Sequence, residues 1–266
     1  VVKYLFSVES EEECCLVTEP VSSLWEVVEE MRASPAWLAW GVRQLAAALE
    51  FLHSASVVHG ALCPSAVFVT AGGEWKLAGL ELLGEAGGQH PLMAAGGPAA
   101  LLPKAYVPPE AAGRGWQGPS PALDLYQLAV LCVELFNGAA ALPQRPLTAE
   151  DVEGVPRQLA AKYRALLAAN PKGRGSARQF GRCAYFQNDL ASAAAFLAEI
   201  ALKDKEEKDA FFARLEPQLA AFPPRVCKKK LLPELVAALD NGSANSRALA
   251  PILKIGASLT DEEYQA

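Results

Sequence analysis

The sequence is poor in the features that mark a metal site, a membrane span or a nucleic-acid binder. Its six cysteines, at 14, 15, 63, 132, 183 and 227, form no C-x-x-C pair and have no histidine at zinc-ligand spacing, which argues against a metal site. Several sit in apolar runs such as "LAVLCVELF", the setting of buried, reduced thiols in a cytosolic protein. Charge or glycine interrupts every apolar stretch before the ~20 residues that cross a bilayer, and the start is not signal-like. Positive charge is also short: 24 Lys and Arg against 30 Asp and Glu give a formal net charge of −6, against a broad basic field for nucleic acid. The dense cation run Lys228-Lys229-Lys230 reads as a solvated helix end. The chain begins without Met at "VVKYLF", in what reads as the middle of a sheet, so a fragment of something longer is expected.

What is present is apolar surface enough for a sizeable core, at 52% hydrophobic over 266 residues. "VVKYLFSVESEEECCLVTEPV" predicts two strands around an acidic turn. A helix follows over "SSLWEVVEEM", where Ser22 or Ser23 can cap and Glu26 lies at capping-box distance from Ser23. From Pro35 to about His53 the apolar residues run nearly all round a helix, as in one enclosed on several sides. "AVFVTAGGEWKLAGLELL" is a hairpin signature with Gly72-Gly73 at the turn. Residues 84 to 105 are Gly- and Pro-rich without periodicity and predict a long loop. The apolar helix "ALDLYQLAVLCVELFNG" comes next, stopped by Asn137-Gly138. Beyond "LPQRPLTAEDVEG" the chain turns to amphipathic helices separated by Pro, Gly, Asn and Ser, like the start of an α-solenoid but without a clean repeat period.

Two further shortages concern chemistry. Between Leu82 and Ala105 there is no Ser or Thr, so that segment cannot be switched by Ser/Thr phosphorylation. Histidines are few: His59 reads as a packing residue before the hairpin, and His53 and His90 as helix-end and loop residues.

The order His59-Gly60-Ala61-Leu62-Cys63-Pro64-Ser65-Ala66, a hairpin, Gly79-Leu80-Glu81, a loop, then Pro108-Pro109-Glu110 resembles a protein-kinase C-lobe: H-R-D-x-K-P-x-N, a hairpin ending in D-F-G, and A-P-E. The resemblance implies that Ala61 stands for the catalytic Asp, Cys63 for the loop Lys, Ala66 for the metal-binding Asn and Gly79 for the D-F-G Asp. None of the four carries a group for that work. Glu81 is a carboxylate two positions on; along a strand that is about 6–7 Å away, too far for the strict octahedron of Mg²⁺. Gly60 replaces the Arg that would receive a loop phosphate, and Tyr106 is expected to pack beside Pro108. The resemblance also implies that Glu110 pairs with Arg174 and that Asp124 holds the loop backbone. Thr18 would be the gatekeeper and Glu19 to Val21 a vestigial hinge. The Gly-rich loop, the strand Lys and its Glu partner have no counterpart in this sequence.

"GEWKLAGLELL", "NPKGRGSARQF", "FFARLEPQLAAFP", "KKKLLPELVAAL" and "GASLTDEEYQA" together resemble the SCY-like, or N-terminal kinase-like, family, over essentially the whole chain. The family implies an α+β, mostly α fold: remnant N-lobe strands and hinge over 1–21, a kinase-like C-lobe over 22–182, and the start of HEAT-like repeats over 183–266. It implies no catalysis and no cofactor, and scaffolding in Golgi–ER vesicle traffic with coat proteins as partners. The place would be the cytoplasm, at most peripheral at Golgi or ER–Golgi intermediate membranes, with no membrane span, no nucleic acid bound by this fragment, and self-association through the repeats left open. Three rivals stay open: an atypical kinase or ATP sensor using displaced residues, an adaptor in nuclear tRNA export, and a folded cap for the solenoid.

Overall fold

The structure is a computed structural model and describes residues 1–10, 12–88, 101–111, 118–138 and 142–265. Its first element is an antiparallel hairpin of β1 (Tyr4–Glu9) and β2 (Cys14–Thr18), the expected pair around the acidic turn. Tyr4, Leu5, Phe6, Val8 and Leu16 are exposed on it, and so are Cys14 and Cys15, unlike Cys63, Cys132 and Cys227, which are buried as the apolar runs suggested.

A second sheet orders β3 (Val21–Ser23), β5 (Val67–Thr70) and β6 (Trp75–Leu77) antiparallel. β5 and β6 are the hairpin read from the sequence. Helix α1 (Leu24–Arg32) leaves β3 directly, and Ser23 is its N-cap without any side-chain cap hydrogen bond. The expected capping box does not form, because Ser23 is also the last strand residue, paired with Phe68. Leu24, Val27, Val28 and Met31 bury one face of α1, the i, i+3, i+4, i+7 pattern of a helix lying on a core.

Helix α2 (Pro35–Ser54) starts on a proline that needs no N–H partner there and buries Trp37, Leu38, Trp40, Val42, Leu45 and Leu49. It meets β6 so closely that a Cβ on Gly41 would fall 2.0 Å from the Trp75 ring. After the short strand β4 (Val57–Val58) the chain runs through residues 59–66 to β5, and β4 pairs with β7 (Gly84–Glu85). Residues 89–100, including His90, lie outside the described residues. Helix α3 (Pro121–Asn137) is buried without interruption from Leu123 to Leu135 and ends on Gly138 at φ 91°, a conformation glycine adopts without penalty.

Of the later helices, α4 (Arg157–Leu166), α6 (Asp189–Ala198), α7 (Lys205–Gln218), α8 (Leu232–Asp240) and α9 (Leu249–Gly256) follow the expected amphipathic run, while the short helices α5 (Ala177–Gly181) and α10 (Asp261–Gln265) come in addition to it. One hydrophobic cluster runs from Leu24 through Leu131 and Phe186 to Leu235 and Ile255, so the later helices share the core of the earlier ones. Among the described residues no helix is long and apolar enough to cross a membrane.

The lysine run departs from its expectation. Cys227–Leu231 is a π turn inside a continuous helical path into α8. Pro233 has no N–H to give to the Lys229 carbonyl one turn back, which breaks the regular ladder there. Lys228 meets Glu263 at 2.7 Å, and Lys230 meets both Glu74 and Glu234 at 2.7 Å. Only Lys229 of the three is exposed. Glu74 belongs to the β5–β6 turn, so Lys230 ties the later helices to the kinase-like hairpin. The approach is tight: a Cβ on Gly72 would sit 3.3 Å from the Lys229 carbonyl oxygen.

Candidate functional site

The loop 59–66 is held from below by α3. Asp124, fully buried, accepts from the His59 backbone N–H through Oδ2 at 2.9 Å and from the Gly60 N–H through Oδ1 at 2.8 Å. Its Oδ2 also lies 2.9 Å from His53 Nε2, so the helix-end His53 has a partner in this network. One turn on, Gln127 accepts from the Leu62 N–H and donates to the Gly60 carbonyl, both at 2.9 Å. Asp124 and Gln127 share a helix face at i, i+3 and satisfy four backbone groups of the loop. Gln127 escaped the sequence reading; its signal was a lone amide inside the apolar run "LDLYQLAVLCV".

His59 is fully buried. Its Nε2 lies 2.7 Å from the Ala78 carbonyl and its Nδ1 accepts from the Ala61 N–H at 3.3 Å. A carbonyl can only accept, so the proton sits on Nε2 and the lone pair on Nδ1. The ring thus bridges the loop to the end of β6 and spends both nitrogens on backbone.

The loop positions matched to catalysis are chemically silent. Ala61, Cys63 and Ala66 are buried. The Cys63 thiol is 3.0 Å from the Ser65 hydroxyl. Gly79 adopts the left-handed conformation at φ 68°, and a Cβ there would stand 2.9 Å from the Ala66 Cβ. The two small residues are fitted to each other, and the room that longer side chains would need at both positions is closed.

Glu81 departs from its expected place. Leu80–Leu82 is a 3₁₀ turn rather than strand, and it swings the Glu81 carboxylate back until Oε2 is 3.4 Å from where a Gly79 side chain would begin. The 6–7 Å offset of an extended chain does not apply. Glu81 lines a pocket of about 330 Å³ with Leu16, Thr18, Val21, Phe68 and Gly79. Apart from Thr18 and Glu81, the side chains named here are apolar. Among the described residues no group of three His, Cys, Asp or Glu could hold a metal ion.

The hinge-like residues bond to one another and to Lys3 and Lys76. Thr18 donates its hydroxyl to the Glu19 carbonyl at 3.1 Å. The Glu19 carboxylate accepts from the Lys3 N–H at 2.7 Å and lies 3.6 Å from Lys76.

Below the loop, Arg174 is buried and its guanidinium meets Glu110 in a fork, Nη1 to Oε1 at 2.5 Å and Nη2 to Oε2 at 2.8 Å. It also donates to the Ala122 and Ala168 carbonyls and lies over the Tyr126 ring at 5.1 Å. Tyr106 is buried, and its hydroxyl donates to Glu134 at 2.5 Å, a partner that Pro108 packing alone did not suggest. Burial, then the Glu134 charge, pushes the Tyr106 hydroxyl well above its ordinary value. Burial likewise raises the Glu134 carboxyl, against the Tyr106 hydrogen bond and the Arg32 charge. Arg32 reaches from α1 to cap the end of α3, donating to the Glu134 and Leu135 carbonyls.

Comparison with known proteins agrees with this architecture. The protein kinase domain family matches residues 1–186. The probable inactive serine/threonine-protein kinase scy1 of Dictyostelium discoideum is 34% identical over 274 residues, covering 100% of this chain and 33% of that protein. A Mus musculus protein named for associating with the carboxyl-terminal domain of ezrin is 28% identical over 234 residues, covering 83% of this chain and 29% of its own. SCY1-like protein 2 of Mus musculus is 23% identical over 268 residues, covering 91% of this chain and 29% of its own. The chain therefore spans about a third of the length of these curated relatives. Among solved structures, the crystal structure of Cex1p shares the fold, with a TM-score of 0.66 and 20% identity over 99% of this chain and 49% of that one. The chain belongs to the protein kinase domain family and, within it, to the SCY-like pseudokinases.

Proposed function

We propose that the chain is the kinase-fold part of a catalytically inactive scaffold. The observation that carries this is the contrast across one loop. Asp124, Gln127 and His59 satisfy its backbone, while Ala61, Cys63, Ala66 and Gly79, at the positions that resemblance assigns to catalysis, offer no base, no cation and no metal ligand. Phosphoryl transfer depends on positioned charge, and four such groups are absent together. Residues 1–21 serve as remnant strands and hinge, 22–182 as the C-lobe and 183–266 as the start of the helical repeats. The shared core and the Lys230–Glu74 pair support a rigid platform that presents surfaces to other proteins.

Family resemblance extends this to the whole protein as an adaptor in Golgi–ER vesicle traffic, cytoplasmic or peripheral at those membranes, with coat and trafficking proteins as partners. The mouse relative named for its association with ezrin supports a protein-binding role in general terms. Thermal denaturation of the chain with and without ATP and Mg²⁺ tests the inert site. The midpoint is expected to stay unchanged; a rise of several degrees would overturn the reading, because a ligand of the native state raises stability.

A second reading, a nucleotide sensor, is favoured by one observation: the Glu81 carboxylate turned back beside Gly79. Mg²⁺ can be held by a single carboxylate together with nucleotide phosphates. That reading expects an Mg²⁺-dependent rise that Glu81→Gln abolishes.

A further inference from the structure

Seven of the chain's 24 Lys and Arg, and none of its 30 Asp and Glu, fall between Gly154 and Asn188. Arg174 is buried on Glu110. The other six, Arg157, Lys162, Arg164, Lys172, Arg178 and Arg182, are all exposed. Among the described residues only Arg178 of these six meets a carboxylate, Glu50 at 3.4 Å, and that pair is open to solvent. An exposed pair of this kind neutralises little.

The elements that carry the six cations are neighbours. Helix α4 packs against the turns at Pro171–Arg174 and Ala184–Phe186, and the Cys183 thiol reaches the Gln158 carbonyl at 3.4 Å. Helix α5 lies on α2, where a Cβ on Gly181 would stand 3.3 Å from the Ala46 Cβ. On α4, Leu159, Tyr163 and Leu166 are buried. Arg157 and Arg164, two turns apart, occupy the opposite side of the helix. This is a cationic face on a chain whose net charge is −6.

We propose that this face docks a short acidic segment of a partner protein, rich in Asp and Glu. Four of its six exposed cations are arginines, whose planar fork pairs with carboxylates through two parallel hydrogen bonds. The size of the ligand follows from what surrounds the face. Glu150, Asp151 and Glu153 precede the basic block and Asp189 follows it. Charges act over about 8 Å at physiological salt, so a short segment lying within the face meets these six cations and, beside Arg178, the one carboxylate of Glu50. A duplex RNA or a bilayer extends past it and meets the acidic remainder. The described residues between 154 and 188 also expose no large apolar side chain, so the block itself has no platform for stacked bases and no wedge for lipid. The inference goes beyond the scaffold reading: the face lies on helices outside the pocket, and charge reversal there leaves nucleotide binding untouched.

Fluorescence anisotropy on the chain, with a labelled peptide of about 12 Asp and Glu residues and an Asn/Gln peptide of equal length, tests it. The acidic peptide is expected to bind and the neutral one not, with affinity falling about tenfold or more between about 50 and 200 mM salt. Arg157→Glu with Arg164→Glu, and Arg178→Glu with Arg182→Glu, should each weaken binding about tenfold without moving the melting midpoint. The milder Arg→Gln pairs should weaken it less, and Lys229→Glu, an exposed cation elsewhere, should not. Equal binding of the neutral peptide, or wild-type affinity in both reversal pairs, would overturn the proposal. Tighter binding of duplex RNA or of phosphatidylserine vesicles would do so too, by assigning the face to another class of partner.

Discussion

Two sets of residues at the loop 59–66 obey opposite rules. Toward α3, polar atoms are buried and every one named above is paired: Asp124 takes three donors and Gln127 uses both ends of its amide. The positions matched to catalysis hold Ala61, Cys63, Ala66 and Gly79, which ask for almost no partners; Ala61, Cys63 and Ala66 pack into hydrophobic clusters, and Gly79 lines the pocket. Buried polar networks are costly when half-satisfied and therefore tend to be kept whole or lost whole. The comparison teaches that the path of a catalytic loop and its chemistry are carried by different residues, and that one can persist without the other.

The largest effect should come from breaking the paired set. Asp124→Ala strands two buried backbone N–H groups, and Glu110→Ala leaves the buried Arg174 cation without its carboxylate. Each should cost about 3–5 kcal/mol in urea unfolding. A loss under about 1 kcal/mol for both would erase the contrast.

A smaller loss is expected at the joint between hairpin and later helices. Lys230→Met removes the pairs to Glu74 and Glu234 but keeps the aliphatic stem, and about 1 kcal/mol is expected because both partners are partly solvated. The loss should shrink in high salt, which a denaturation series checks.

The pH response sharpens the comparison further. The Glu134 carboxyl is raised by burial, so its neutral form favours the fold. Its contribution is complete below the ordinary carboxylate value and is lost as pH rises through the raised one. Asp151 is opposite: the Arg145 hydrogen bond lowers it to about 2, so its contribution holds above the ordinary value and is lost as pH falls toward 2. Glu134→Gln should flatten the decline in stability as pH rises above the ordinary carboxylate value, while leaving the loss toward pH 2 that Asp151 contributes unchanged. An identical pH–stability profile would contradict this.

The smallest effect belongs to the silent positions. Cys63→Ala should change stability by about 1 kcal/mol or less, measured by the same unfolding curves.

How much of this could be read beforehand depends on range. The helices and the β5–β6 hairpin were visible in periodicity and turn residues, and the loop was visible because its order of residues matches a kinase pattern. What escaped was set by tertiary neighbours. Ser23 has the chemistry of a capping box, but its strand pairing with Phe68 came first. Lys228 looked solvated because Glu263 is far along the chain; for Lys230 the Glu74 partner is also remote, whereas Glu234 at i+4 was within range of the sequence. Glu81 seemed out of reach because the 3₁₀ turn after Gly79 is a local bend that strand spacing cannot anticipate. Tyr106 and Glu134 are 28 residues apart, and nothing nearby in the sequence pairs them.

The most direct test of an emptied site is phosphate transfer itself. The purified chain, incubated with γ-labelled ATP, Mg²⁺ and a broad peptide panel, should transfer no label above a heat-inactivated control. Transfer that rises with the amount of protein and disappears in Glu81→Gln would contradict the account, since it would place working chemistry on a carboxylate displaced from the usual position.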